Sequence, residues 1–488
     1  MTSLFSNINI YKLLTTNVSI QALPIFVGII SIPIIIEIYG RVLFSVYAIG
    51  VASIVLLNYL HLGIATNINR ELSLNAENSI EHKKEIFFRG LISILFLSII
   101  IVVLVSLSLP AYFNLLTFNS LLESNYSYKF LNELIFQIPL IFLIILLRQV
   151  MEANLNFFIS ALNRAVVNSL ILFSPIALFY LGLDFSFLAR VILIIHLLSL
   201  IFLLFHCMKY LVGRLPQLQY KKFLSLFKSG ISLTLISFAM MVFLYADRFL
   251  LSALEDLNSI AFYIAPFDVL TRISFVYGSM GAVFFPIYSR LISANKGSDF
   301  IRIYRNSYLL VFCVVGLIAL TFILFSSELL DLWLGRDFKT ESSQLAKIIA
   351  CGILITSLTV VPFRTLISLK KEKELSIFYV SLGVIYIFLS YYLILIYGLY
   401  GAAYAFLVRS IIELAALNIF SQRNILLQMR EDLGLDWTVT MTSLPLLSLI
   451  FLTGELFLEY KIILLVGSLI GCTYLYKKTL KLGLKLND

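Results

Sequence analysis

The chain has 488 residues, 60% of them hydrophobic and 13% charged, with a mean hydropathy of +0.99 and a formal net charge of +9. Soluble domains carry about 25% charged residues, so this composition excludes a water-soluble globular protein over most of the length. Cys207, Cys313, Cys351 and Cys472 are far apart, in or beside apolar runs, which excludes a disulfide framework and a cysteine metal site.

In chain order, Lys12 precedes an apolar run from Leu13 to Ile36. That run exceeds the about 7–15 residues of a signal-peptide core and has no small-residue cleavage pattern, so it reads as an uncleaved first span. Apolar runs of about 20 residues, the length that crosses a bilayer, then recur to the end. They predict about fourteen transmembrane helices, near 13–36, 42–66, 89–110, 131–157, 166–182, 186–208, 229–252, 260–289, 306–330, 344–368, 375–397, 399–421, 438–457 and 460–477. Barrel strands would alternate apolar and polar positions, and these runs do not.

The loops carry the charge asymmetry. Twenty-four lysines and arginines fall in one alternate set of loops, against at most seven in the other. Basic loops stay in the cytoplasm, so both termini are expected there. Topology explains the positive charge without nucleic acid. No loop is long enough for a soluble catalytic domain. The stretch GRLPQLQYKKFLSLFKSG (213–230) mixes basic residues with Leu and Phe, as an amphipathic linker on the membrane surface would. The expected organisation is a six-helix lobe at 1–212, a linker at 213–228, a second six-helix lobe at 229–422 and a terminal helix pair at 438–478.

Transporters often contain internal repeats. An ungapped shift of 216 residues places Lys12 on Lys228, Tyr47 on Tyr263, Arg89 on Arg305, Arg148 on Arg364, Gly182 on Gly398 and Arg214 on Arg430. The shift also carries predicted helix 1 onto 7, 4 onto 10 and 6 onto 12. An even number of helices separates the copies, so the two lobes share one orientation and are pseudo-symmetric.

Charges inside apolar helices cost about 2.5–3.5 kcal/mol each at mid-membrane on insertion scales and face a bundle interior or a wet cavity. They are Arg148 and Glu152, Asp247 and Arg248, Asp268 and Arg272, Arg364, and Arg409 with Glu413. Arg148/Glu152, Asp268/Arg272 and Arg409/Glu413 are four apart, on one helical face. Each such pair has two readings: a self-neutralising brace between helices, or a cargo contact. Arg272 falls about 12 residues into its predicted helix, about 18 Å deep at helical rise. Arg364 has no acid within a turn. A guanidinium is permanently charged and matches phosphate with a two-pronged fork. Arg272, Arg364, Arg409 and Arg148 are therefore the candidate cargo-binding residues. Asp247, Arg248, Asp268, Glu152 and Glu413 are the candidate gating or structural charges. Asp247 and Arg248 are adjacent, so they point about 100° apart and cannot pair well. His61, His196 and His206 read as packed or interfacial side chains, His61 being the one worth testing. No cofactor or metal is implied.

The stretch YADRFLLSALEDLNSIAFYIAPFDVLTRISFVYGSMGAVFFPIYSRL (245–291), with echoes in YGRVLFSVYAIG (39–50), LWLGRDF (332–338) and GLYGAAYAFL (398–407), resembles the O-antigen and polysaccharide repeat-unit flippases. These belong to the multidrug/oligosaccharidyl-lipid/polysaccharide exporter superfamily. The resemblance implies an all-α, V-shaped transporter of the MATE type with a cationic central cavity and alternating access. It also implies a cargo of polyprenyl-diphosphate-linked oligosaccharide whose lipid tail stays in the membrane lipid, and a place in O-antigen or other surface polysaccharide synthesis. The partners of such a pathway are a polysaccharide polymerase and a chain-length regulator. Two alternatives stay open: a membrane-embedded polysaccharide polymerase or ligase, and a cation-coupled multidrug exporter of the same fold. The short outer loops weigh against the enzyme, and the cationic balance weighs against the cation exporter.

Overall fold

A computed structural model describes residues 10–57, 64–74, 80–116, 121–154, 156–211 and 231–429. The proposed linker at 213–228, predicted helices 13 and 14, His61 and Cys472 lie outside the described residues. Among the described residues the architecture is all-helical: α1 Ile10–Leu57, α2 Ile64–Leu74, α3 Ile80–Phe113, α4 Leu121–Ile135, α5 Ile138–Ala153, α6 Phe157–Tyr180 and α7 Leu188–Leu211. Then follow α8 Ile231–Leu254, α9 Leu257–Thr271, α10 Ser274–Ser293, α11 Gly297–Leu334, α12 Arg336–Leu358, α13 Val360–Ser368, α14 Glu372–Tyr397 and α15 Leu399–Met429. Among the described residues ten helices are long and apolar enough to cross a membrane, or eleven if the bent pair α4–α5 forms one span. The chain is a multi-pass membrane protein. Large apolar side chains such as Leu107, Phe205 and Phe388 are at least 70% exposed, as lipid-facing residues are.

The twelve predicted helices within the described residues each have a counterpart, with corrections at their ends and breaks. Predicted helices 1 and 2 are joined in α1 across a kink at Gly40, whose φ of 74° and ψ of 172° are non-helical. Positive φ at this ψ is essentially a glycine conformation. Predicted helix 4 is split into α4 and α5, bent by 46°, with Pro139 in the first turn of α5. A proline there needs no donor of its own and cannot continue the preceding helix. Predicted helix 8 is split into α9 and α10. There the Thr271 hydroxyl bonds back to the carbonyls of Phe267 and Asp268 at 2.8 and 3.2 Å. Such back-bonding bends helices, and the chain passes through Arg272 by i→i−3 bonds. Predicted helix 10 is split at Thr359, whose hydroxyl reaches the Thr356 carbonyl at 2.6 Å, with Pro362 in the first turn of α13.

The described chain divides into two compact units, Met1–Ala261 and Phe262–Asp488. In the first, Tyr39 and Tyr47 of α1 donate to the carbonyls of Pro175 and Ile171 on α6 at 3.0 and 2.8 Å. α8 joins this unit, with Tyr112 of α3 bonded to Ser252 at 2.5 Å. In the second unit α12 is the central helix: nearly all of its apolar stretch is buried. It meets α11 across one residue, Gly335.

The 216-residue shift can be followed element by element. It carries α2 onto 280–290 within α10, α3 onto 296–329 along α11, α6 onto 373–396 along α14 and α7 onto 404–427 within α15. Gly182 and Gly398, superposed by the shift, both adopt positive φ, 68° and 57°, and both stand between the last two helices of their repeat.

Candidate functional site: buried arginines on broken helices

In the second unit, Arg409 and Glu413 lie one turn apart on α15 and form an ion pair of 2.5 Å, each side chain 3% exposed. The second Glu413 oxygen accepts the Tyr379 hydroxyl of α14 at 2.8 Å. Arg409 also donates to Thr356 of α12 at 3.1 Å and to Ser410 at 3.0 Å, and its guanidinium lies 4.9 Å from the Phe406 ring. The cluster ties α12, α14 and α15 together. Of the two readings that the four-residue spacing left open, this geometry favours the brace: the fork of Arg409 is occupied by protein groups.

Arg364 differs. It sits on α13, just past the break at Thr359, and is half-buried. Its Nε is buried and has no hydrogen-bond partner among the described residues. The guanidinium lies 5.6 Å from the Phe363 ring, and Phe363 meets Tyr379 edge-on at 5.9 Å. Arg364 thus adjoins the Arg409 brace through two aromatic rings. No carboxylate pairs with it among the described residues.

Asp268 on α9 and Arg272 are both half-buried. The break places Arg272 between α9 and α10, where a continuous helix was expected.

In the first unit, Arg148 on α5 is 9% exposed. Its Nε donates to Asn163 of α6 at 2.8 Å, and the same Asn163 oxygen accepts Ser199 of α7 at 3.1 Å. The expected Arg148–Glu152 bridge is not the contact that forms. Glu152 instead takes Arg164 at 3.0 Å and Ser160 at 2.7 Å through one oxygen, and Gln149 at 3.2 Å through the other. The bend before α5 and the turn after it bring α6 close enough to supply these partners. The repeat shift carries Arg148 onto Arg364 and Asn163 onto Tyr379, so a polar group borders each arginine from the same repeat position.

Asp247 and Arg248 on α8 are 0% and 2% exposed. Asp247 accepts the backbone N–H of Arg248 at 2.9 Å, while the Arg248 guanidinium lies 4.9 Å from the Tyr245 ring. His196 is a packed residue, its Nδ1 3.0 Å from Gln137. Cys207, Cys313 and Cys351 are buried.

Tyr379, Thr356 and Asn163 were not expected at the site. A hydroxyl or amide at each of two repeat-related positions, 163 and 379, was the available signal for the first and third.

No family model matches the chain. The chain is 24% identical over 392 residues, 80% of its length, to a Shigella flexneri protein carrying the provisional description O-antigen transporter, and covers 93% of that protein. Among solved structures, an inward-facing MATE family multidrug resistance transporter of the MOP superfamily matches with a TM-score of 0.69 at 12% identity, over 84% of this chain and 98% of that one. The lipid II flippase MurJ in an inward closed conformation matches with a TM-score of 0.68 at 17% identity, over 95% of this chain and 99% of that one. The fold is that of MATE and MurJ, and the resemblance to O-antigen transporters spans most of the chain. The similar proteins are named as transporters and flippases, not as enzymes.

Proposed function

We propose that this protein is a flippase that moves polyprenyl-diphosphate-linked oligosaccharide repeat units across the bacterial inner membrane, with both termini in the cytoplasm. The observation that carries the reading is Arg364. It is a permanent cation among apolar helices, without a carboxylate partner among the described residues, on a short helix that begins at a break. A site of this kind costs stability unless it meets an anion during function. The diphosphate of a lipid-linked sugar is such an anion, and guanidinium is the side chain that binds it in two-pronged fashion. The O-antigen transporter and the lipid II flippase support the cargo class by analogy.

Arg148 is the repeat-related contact in the first unit, and Arg272 is a third. Arg409 acts by holding α12, α14 and α15. A polymerase and a chain-length regulator would act on the units delivered outside. The test is Arg364→Gln in a strain lacking the chromosomal copy. The expected result is loss of surface polysaccharide at unchanged protein level, with lipid-linked single repeat units accumulating on the cytoplasmic face. Normal surface polysaccharide would overturn the assignment. Single units displayed outside would identify a polymerase instead.

A further inference from the structure

Gly281 lies on α10 with ordinary helical neighbours and no positive φ, so its backbone does not require glycine. What requires glycine is space. A Cβ there would lie 2.9 Å from Arg364 Nε, 3.6 Å from Arg364 Cγ and 2.5 Å from Val360 Cγ2. The two helices meet along matching four-residue ridges. Gly281, Phe285 and Ser289 run along α10, and Val360, Arg364 and Ser368 run along α13. Ser289 and Ser368 bond at 3.2 Å, and Ser368 reaches the Phe285 carbonyl at 3.4 Å. Small residues allow helices in a membrane to approach this closely. Along these ridges, only at Gly281 does the contact involve a charged side chain.

We propose that Gly281 is a positioning residue for Arg364: the bare backbone of α10 is the seat over which the arginine stem lies, and it fixes where the guanidinium presents itself to a phosphate-bearing headgroup. Nε is sealed against the seat while the residue as a whole stays half-buried, so the terminal nitrogens are the accessible end. A bidentate fork needs a defined orientation as well as charge, and the seat supplies it. This inference rests on the reading of Arg364 as a phosphate contact.

The experiment uses the purified full-length protein in detergent and titrates farnesyl diphosphate by calorimetry, with farnesol as the control for tail binding. Arg364→Gln is expected to weaken farnesyl diphosphate at least tenfold and leave farnesol unchanged. Gly281→Ala is expected to weaken it about fivefold in the wild-type background and not at all in the Arg364→Gln background. The Val360 overlap can disturb folding by itself, so Gly281→Ala is also made with Val360→Ala, which removes that overlap and leaves the one with Arg364. Equal weakening by Gly281→Ala with and without Arg364, or none in either alanine variant, overturns the positioning role while leaving Arg364 as the phosphate contact. Arg364→Gln that binds like wild type, or wild type that prefers farnesol, overturns both.

Discussion

At the scale of single residues, the buried charges fall into two kinds, and the difference lies in their partners. Arg409 has Glu413, Thr356 and Ser410, while Arg364 has two aromatic rings nearby and a buried Nε without an acceptor among the described residues. Removing one partner of a buried pair leaves an uncompensated charge and costs about 3–5 kcal/mol. Glu413→Ala is therefore expected to lower the melting temperature in detergent markedly, with Glu413→Ala/Arg409→Met recovering much of the loss because no charge is then stranded. A double variant no better than the single would show that the pair is not a brace. Tyr379→Phe removes a hydrogen bond to the carboxylate, worth about 1.5–3 kcal/mol, and is expected to lower the same melting temperature by less than Glu413→Ala. The Arg409–Glu413 contact was legible from its four-residue spacing, because both partners lie on one helix. The partner of Arg148 was not: the same spacing suggested Glu152, but Arg164 and Ser160 on the next helix take that carboxylate and leave Asn163 to the arginine. Spacing reports what one helix face offers and is silent on competing groups from its neighbour.

At the scale of elements, the short motifs that carry the resemblance are mostly the places where helices turn or touch. LWLGRDF contains Gly335, with φ of 87° and ψ of −177°, and an Asp331–Lys339 ion pair of 2.9 Å spans the turn. GLYGAAYAFL contains two glycines with different tasks. Gly398 turns the chain at φ of 57° and ψ of −132°. Gly401 faces the end of α14 so closely that a Cβ would fall on the Leu393 carbonyl and 2.6 Å from the Ile394 nitrogen. Backbone cannot move aside as a flexible side chain can. Gly401→Ala is therefore expected to lower melting temperature and membrane yield more than Gly398→Ala, whose cost is the about 1–3 kcal/mol of an unfavourable backbone conformation. Thermal unfolding of both variants by fluorescence checks the order. If Gly401→Ala unfolds like wild type, α14 and α15 are packed more loosely than the Leu393 approach implies. Helix existence and order were legible because each span is a long apolar run. The breaks at Gln137, Arg272 and Thr359 were not, since side-chain back-bonding and proline positions act within runs that stay predominantly apolar through each break.

At the scale of the whole molecule, the repeat pairs residues that no single helix relates. The shift that superposes α3 on α11 and α6 on α14 also superposes Arg148 on Arg364. Among the described residues neither arginine has a carboxylate in ion-pair contact. Each is a candidate cargo contact within its own unit, and Arg148→Gln is expected to match Arg364→Gln: loss of surface polysaccharide at unchanged protein level, with partial rescue by lysine, which keeps the charge but loses the fork. The multidrug alternative makes the opposite demand. It needs acidic groups that can exchange a cation, for which Asp247 and Asp268, each with an arginine close by in the sequence, are the candidates; Asp247 accepts the Arg248 backbone N–H, and Glu152 and Glu413 are engaged by arginines and by hydroxyl or amide donors. Ethidium, a permanently cationic dye, separates the two readings. Cells that overproduce this protein while lacking their own drug exporters are expected to accumulate ethidium as fast as cells carrying an empty vector, because a cationic site repels a cationic dye. Dye exclusion that survives Arg364→Gln and Arg148→Gln, together with normal surface polysaccharide in those variants, would move the chain from the lipid-linked sugar branch of the fold to the drug-exporting one.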